Sequence, residues 1–288
     1  MNERTAFVVL GMHRSGTSSV AGLLTLLGAS APRTMFPAGE ENPKGFFESE
    51  SLTGLNHWIL DTAGSAWHDW RRFDPEFFGR PENLHFRADA LRRIAAEYGR
   101  AETIVLKDPR ICRMFPFWKS VLEEAGYRVL VVAPLRRPNE VAASITKRNG
   151  FSAALGERIW TRHVLDAELD SRGAPRAFTV WTDLLADWRS ETRRLAEVLD
   201  APQLADHAGK EGEIDAFLSG DLRRNRGAMR PGLPQRVWNN LARLAHEGEG
   251  HEAARRLDGL RLQFDQACAL FEDVPVITGA PGEADAGD

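Results

Sequence analysis

Apolar residues fall into two alternating patterns along this chain. Four short unbroken runs, Ala6-Phe7-Val8-Val9-Leu10, Thr103-Ile104-Val105-Leu106, Val129-Leu130-Val131-Val132 and Phe178-Thr179-Val180-Trp181, are too brief for helices and rich in β-branched or aromatic residues. They predict strands buried on both faces, since a half-buried strand alternates apolar with polar positions. Between them the period lengthens. Val20, Leu23, Leu24 and Leu27 recur at i, i+3, i+4 and i+7, predicting a helix that begins near Thr17 and stops at Gly28. Further helices are expected over Ser51–Ala63, Glu82–Tyr98, Pro116–Ala125 and residues 152–171. Pro138 suits the first position of another, and Leu184, Trp188, Leu195 and Leu199 mark one more. Residues 29–50, rich in Pro, Gly and Glu, read as a long loop, and residues 64–81 as an irregular aromatic stretch.

The C-terminal third is helical in pattern. Leu257, Leu260, Phe264, Ala267 and Phe271 hold a 3-4-3-4 spacing that reads as a packing face. Strands alternating with helices predict the α/β class: three layers, α/β/α, around a central and mainly parallel sheet, followed by a helical C-terminal region. One domain over residues 1–275 is expected, with the helices of 235–272 packed on it and residues 276–288 as a flexible tail.

Composition narrows the possibilities. Of 288 residues 43% are hydrophobic and 27% charged, enough apolar material for a core without disulfide or metal staples. A net charge of −4 argues against a nucleic-acid coat or a polybasic membrane binder. Two cysteines, Cys112 and Cys268, cannot build a disulfide framework or a cysteine-rich zinc site. No apolar run reaches the 18 residues of a membrane span, and the first five residues lead straight into a strand, leaving no room for a signal peptide. The expectation is a soluble cytoplasmic protein with no nucleic-acid partner and no membrane span.

The strongest local signal is the strand, loop and helix over residues 6–27. A helix N-terminus presents unpaired N–H groups and the positive end of its dipole, and glycines let the backbone wrap an anion. The spacing Gly11-x4-Gly16 is that of a nucleotide-binding P-loop, whose next residue is a lysine. Here Thr17-Ser18 follows, and the cation is Arg14, two residues before the second glycine. That substitution disfavours an ordinary Mg-dependent NTPase.

Arg14-Ser15-Gly16-Thr17-Ser18 resembles the Lys/Arg-Ser-Gly-Thr-Thr loop of sulfotransferases that use 3′-phosphoadenosine 5′-phosphosulfate (PAPS). A second element of that family is an arginine with Pro two residues on and serine eight residues on. Arg136-Arg137-Pro138-Asn139-Glu140-Val141-Ala142-Ala143-Ser144 has that spacing. Asn42-Pro43-Lys44-Gly45-Phe46-Phe47-Glu48 and Leu106-Lys107-Asp108-Pro109-Arg110 look like segments common in bacterial members, and the matches together cover the organisation of about residues 5–200. The resemblance implies a P-loop-type fold and sulfonate transfer from PAPS to a hydroxyl of a carbohydrate or small molecule. It implies that 3′-phosphoadenosine 5′-phosphate (PAP) is the co-product and that no metal is required. It assigns Arg14, Ser15, Gly16, Thr17, Ser18 and Ser19 to the 5′-phosphosulfate end of the donor, and Arg136 and Ser144 to its 3′-phosphate. His13, inside the same loop, either donates to phosphate or only spaces the turn. A fixed guanidinium with a hydroxyl suits a dianion that ATP lacks. Arg223 and Arg224 resemble a late basic segment that closes over the nucleotide in some members; a solvated basic loop is the other reading.

Catalytic assignments follow from the same resemblance. Arg14 holds the sulfonate, and Lys107, at a strand end, stabilises the leaving oxygen; local pairing of Lys107 with Asp108 is the alternative. The histidine that some members carry two residues after that lysine is Pro109 here, which removes the histidine-base assignment. Relatives that modify carbohydrate use a glutamate after the first helix, and Glu48 is the expected base, with Glu40, Glu41 and Asp108 as alternatives. His57, His68 and His163 lack metal-ligand spacing. Trp58, Trp67, Trp70, Phe73, Phe77 and Phe78 either line an acceptor cleft or pack beneath the long loop. Two competing functions remain: a P-loop small-molecule kinase, and a non-catalytic nucleotide- or glycan-binding module.

Overall fold

The computed structural model describes residues 4–39, 42–218 and 227–271. Each apolar run forms a strand: β1 (Arg4–Val9), β2 (Thr103–Lys107), β3 (Tyr127–Leu135) and β4 (Arg176–Val180). All pairings are parallel, in the order β2-β1-β3-β4, with Phe7 beside Val105 on one side and Leu130 on the other. The class is α/β, as the alternation of periods predicts. Both sheet faces are covered, which explains the unbroken apolar runs. Ala6, Val8 and Leu10 face one apolar layer, and Phe7 and Val9 face the other.

The helices are α1 (Thr17–Leu26), α2 (Glu50–Thr62), α3 (His85–Tyr98), α4 (Phe115–Glu124), α5 (Pro138–Asn149), α6 (Ala153–Asp170), α7 (Trp181–Ala186), α8 (Trp188–Leu199), α9 (Glu211–Phe217), α10 (Leu233–Glu247) and α11 (His251–Ala269). Layer one draws on α2 to α6, α10 and α11; layer two draws on α1, α7, α8 and α9. Three expectations need correction. Trp181 opens α7 and does not end a strand. The helix expected through Leu184 and Leu199 breaks at Asp187, whose carboxylate accepts from the Ser190 N–H at 3.0 Å and so caps a new helix. The helix expected from Glu82 begins at His85, because residues 81–83 form a separate 3-10 turn in which the Asn83 amide donates to the Phe77 carbonyl at 2.8 Å.

The C-terminal stripe packs through Leu257, Leu260, Phe264 and Cys268, leaving Ala267 exposed and Phe271 half-exposed. A buried carboxylate ties this region to the sheet. Glu168 on α6 accepts from Arg172 (2.9 Å), from Arg176 on β4 (3.3 Å) and from Arg261 on α11 (2.7 Å). No helix among the described residues is long and apolar enough to cross a membrane. Residues 276–288 lie outside the described residues.

The strand order positions the site. After β1 the chain crosses to β2 on one side, then returns to β3 on the other. In an open parallel sheet such a reversal leaves a crevice outside the carboxyl ends of the strands. The loop after β1, Lys107 at the end of β2 and Arg136 after β3 all reach it.

Candidate functional site

The loop from Gly11 to Gly16 needs both glycines. A Cβ on Gly11 would lie 2.8 Å from the Thr17 methyl, and one on Gly16 would lie 2.2 Å from the Trp181 indole. Gly16 also stands at φ 89°, in the left-handed region, as does Arg14 at φ 67°. These turns bring the chain into α1, whose N-terminus has no side-chain cap. Its first N–H groups, which have no intrahelical partner in any helix, therefore receive none from a capping side chain either.

Arg14 and Arg136 share one cleft. The Arg14 Nε donates to Ser144 Oγ at 2.8 Å, and Arg136 Nη1 donates to the Arg14 carbonyl at 3.1 Å. Arg136 also donates to Glu140 at 3.1 Å, and its guanidinium lies 4.2 Å from the centre of the Trp181 ring. The Trp181 indole N–H donates to Ser19 Oγ at 3.2 Å. A loop, a strand end and a helix that are about 120 residues apart in sequence thus meet through direct contacts.

Lys107 approaches the same loop from β2. Its ammonium donates to Glu48, to the Phe46 carbonyl at 3.1 Å and to Ser18 Oγ at 3.4 Å. The alternative reading, local pairing of Lys107 with Asp108, does not form. Asp108 instead accepts from the Arg110 side chain (3.0 Å), Asn56 (2.8 Å) and Thr53 (3.2 Å). Burial pushes the Asp108 carboxyl up, but Arg110 and the Asn56 amide outweigh it and hold it below the ordinary carboxylate value. A carboxylate so occupied is a poor candidate base. Glu48 sits between Lys107 and the more distant Arg110, whose Nη1 is 3.8 Å away. Glu40 and Glu41 lie outside the described residues.

The loop that carries Glu48 is held at both ends. Asn42 donates to Ser18 Oγ at 3.0 Å, and Lys44 donates to the carbonyls of Ala216 and Phe217 at the end of α9. Phe217 packs edge-on to Phe47, their ring centres 5.9 Å apart. Glu48 leads directly into Ser49, whose hydroxyl accepts from the Leu52 N–H at 3.0 Å and caps α2.

The cleft bounded by these groups has a volume of about 460 Å³. Its lining includes His13, Arg14, Gly16, Thr17, Ser18, Ser19, Glu48, Lys107, Arg136 and Ser144. Ser15 is the exception: it is buried, its hydroxyl makes no hydrogen bond among the described residues, and it does not line the cleft. His13 is buried with its ring 4.7 Å from Trp67. Burial, and then the positive charge of Arg148, hold its imidazole well below the ordinary histidine value, so it is uncharged at neutral pH. Arg223 and Arg224 lie outside the described residues. Sequence reading missed Asn42, Phe46, Lys147, Arg148 and Trp181, which also line the cleft. Trp181 carried a usable signal, standing at the end of an apolar run beside the crevice. The His57 and Trp58 end of α2 lies apart from this lining, while Trp67, Trp70, Phe73 and Phe77 pack into the core.

No protein-family model matches the chain, and no curated protein sequence matches it. Two solved structures show a similarity in shape. The sulfotransferase domain from the Synechococcus PCC 7002 olefin synthase is 17% identical, with a TM-score of 0.42, over 84% of this chain and 93% of that one. The sulfotransferase domain from the curacin biosynthetic pathway is 14% identical, with a TM-score of 0.46, over 84% of this chain and 98% of that one.

Proposed function

We propose that this chain is a sulfotransferase that moves the sulfonate group of PAPS to an acceptor hydroxyl. The observation that carries the reading is the contact chain Arg136–Arg14–Ser144, which joins two anion-binding elements from neighbouring strands in one cleft. A ligand anionic at both ends suits it, and adenosine carrying a 3′-phosphate and a 5′-phosphosulfate is such a ligand. Thr17 stands where a P-loop kinase has its lysine, and the cations come from Arg14 and Lys107.

The roles follow from chemistry and position. The N–H groups at the start of α1, with Thr17, Ser18 and Ser19, receive the 5′-phosphosulfate. Arg14 neutralises charge on the transferring sulfonate, and Arg136 with Ser144 holds the 3′-phosphate. In the in-line step the acceptor oxygen forms a bond to sulfur as the bridging S–O bond breaks, and PAP leaves with that electron pair. Lys107 turns from Glu48 to the leaving oxygen. Glu48, released from its ion pair, takes the acceptor proton. The pair thus exchanges partners as substrates bind.

Transfer of labelled sulfonate from PAPS to a panel of alcohols and sugars tests the reading. Lys107→Ala and Glu48→Gln should each lower kcat by about 10²–10⁴-fold, the range of a positioned proton-transfer or charge-stabilising group. Transfer by the parent enzyme that neither substitution slows would overturn the catalytic roles. Tight Mg-dependent ATP binding without PAP binding would favour a kinase.

A further inference from the structure

Sulfonate transfer as proposed gives no role to Lys147 or to Arg148, whose Nε donates to Asn149 Oδ1 at 2.7 Å. Five cationic side chains border it, Arg14, Lys107, Arg136, Lys147 and Arg148, against one carboxylate among the described lining residues, Glu48. Arg136 precedes α5, and Lys147 and Arg148 stand in its last turn. Twelve residues separate Arg136 from Arg148, roughly 18 Å along a helix axis at 1.5 Å per residue. Each arginine meets its own indole: Arg136 over Trp181 at 4.2 Å, Arg148 over Trp67 at 5.4 Å. Trp67 also contacts His13 at 4.7 Å and stacks on Phe151 at 5.9 Å. The Arg136 end is tied to Arg14 and Ser144. The Arg148 end carries the exposed Lys147, with the buried Trp67 packed beneath Arg148.

Resting on the sulfotransferase reading, we propose that Lys147 and Arg148 form an oxyanion subsite for the acceptor, so that the alcohol to be sulfonated carries its own carboxylate or phosphate. The cleft between that pair and Glu48 takes the carbon skeleton between the anion and the reacting hydroxyl. The uncharged His13 adds no cation to this end of the cleft but lies in the field of Arg148, which a bound anion would offset. Basic residues in a last helical turn commonly offset the helix dipole, and that role alone would require no acceptor preference.

Calorimetric titration of the full chain saturated with PAP tests the proposal. The probes are ω-hydroxy acids of about three to eight carbons, which fit a cleft of this size, against their primary amides, and glycerol 3-phosphate against glycerol. At least one anion should bind about tenfold or more tightly than its neutral partner, the ratio expected for ~1.5–3 kcal/mol per hydrogen bond to a charged group. A preference confined to hydroxy acids identifies a carboxylate, and one confined to glycerol 3-phosphate identifies a phosphate. The Lys147→Ala/Arg148→Ala double variant should abolish the preference while leaving PAP affinity and melting temperature essentially unchanged. Equal or absent binding of charged and neutral probes would overturn the subsite and leave the donor reading intact. So would a preference that survives the double variant. PAP binding that weakens with the double variant would assign both cations to the donor and also overturn it. Failure of the parent protein to bind PAP would remove the sulfotransferase reading, and the subsite with it.

Discussion

His163 lies in the interior with Nδ1 bonded to the Ile159 carbonyl at 2.9 Å. Burial and the neighbouring Arg113 push its imidazole down to about 3. The folded protein therefore binds fewer protons than the unfolded chain between about pH 3 and the ordinary histidine value near 6.5, and stability falls as pH drops through that window. At pH 5.5 the loss from His163 is roughly 1.4 kcal/mol, one unit below the unfolded value. Thermal melts at pH 7.5 and 5.5 should show this acid sensitivity, and His163→Asn, which can keep the bond to Ile159, should reduce it. An unchanged difference would contradict the account. Neither this buried histidine nor the burial of His13 was legible in the sequence, since burial comes from remote helices. Arg14, Arg136 and Ser144 were legible, because their spacing sits within single strand–loop–helix units. Asn42 and Arg110 stand in the family-like segments, but their roles were not legible, because only the packing of distant segments brings them to the cleft or to Glu48.

Elements carry the site through their ends. The strands announced themselves as apolar runs, while the boundary at Asp187 depended on a capping carboxylate that competes with helix continuation. Ser49 is a cap of the same kind in a more consequential place, one residue after Glu48. Its hydroxyl fixes the start of α2 and hence the backbone from which Glu48 reaches Lys107. Ser49→Ala should cost about 1 kcal/mol of stability, the usual cost of a lost N-cap. It should also lower kcat for sulfonate transfer more than it weakens PAP binding, because the proposed donor contacts come from the loop before α1, from α1, and from α5 with Arg136 just before it. Melting temperature, kcat and PAP affinity measured on one preparation separate these effects. A loss confined to PAP affinity would contradict a positioning role for the cap.

At the scale of the molecule, the order β2-β1-β3-β4 makes the separate signals one site. Strand order could not be read from the apolar pattern, which shows that both faces are buried without saying which strand lies beside which. The Glu168 cluster holds β4, α6 and α11 together on the far side of this arrangement. Glu168→Ala would remove the carboxylate that Arg176 and Arg261 share, leaving them only their partially exposed partners Glu249 and Asp258, and should cost about 1–3 kcal/mol in urea unfolding, the range for lost hydrogen bonds to charged groups. PAP affinity of the remaining folded protein should hold at low temperature. Whether one cleft grips both ends of a doubly phosphorylated adenosine is read from calorimetric binding of PAP and AMP without Mg²⁺, to the parent chain and to Arg136→Ala. The parent should prefer PAP, and the variant should lose about 10- to 100-fold for PAP, as for a hydrogen bond to a charged group, with little change for AMP. Equal losses for the two nucleotides, or a parent chain that does not distinguish them, would contradict that grip.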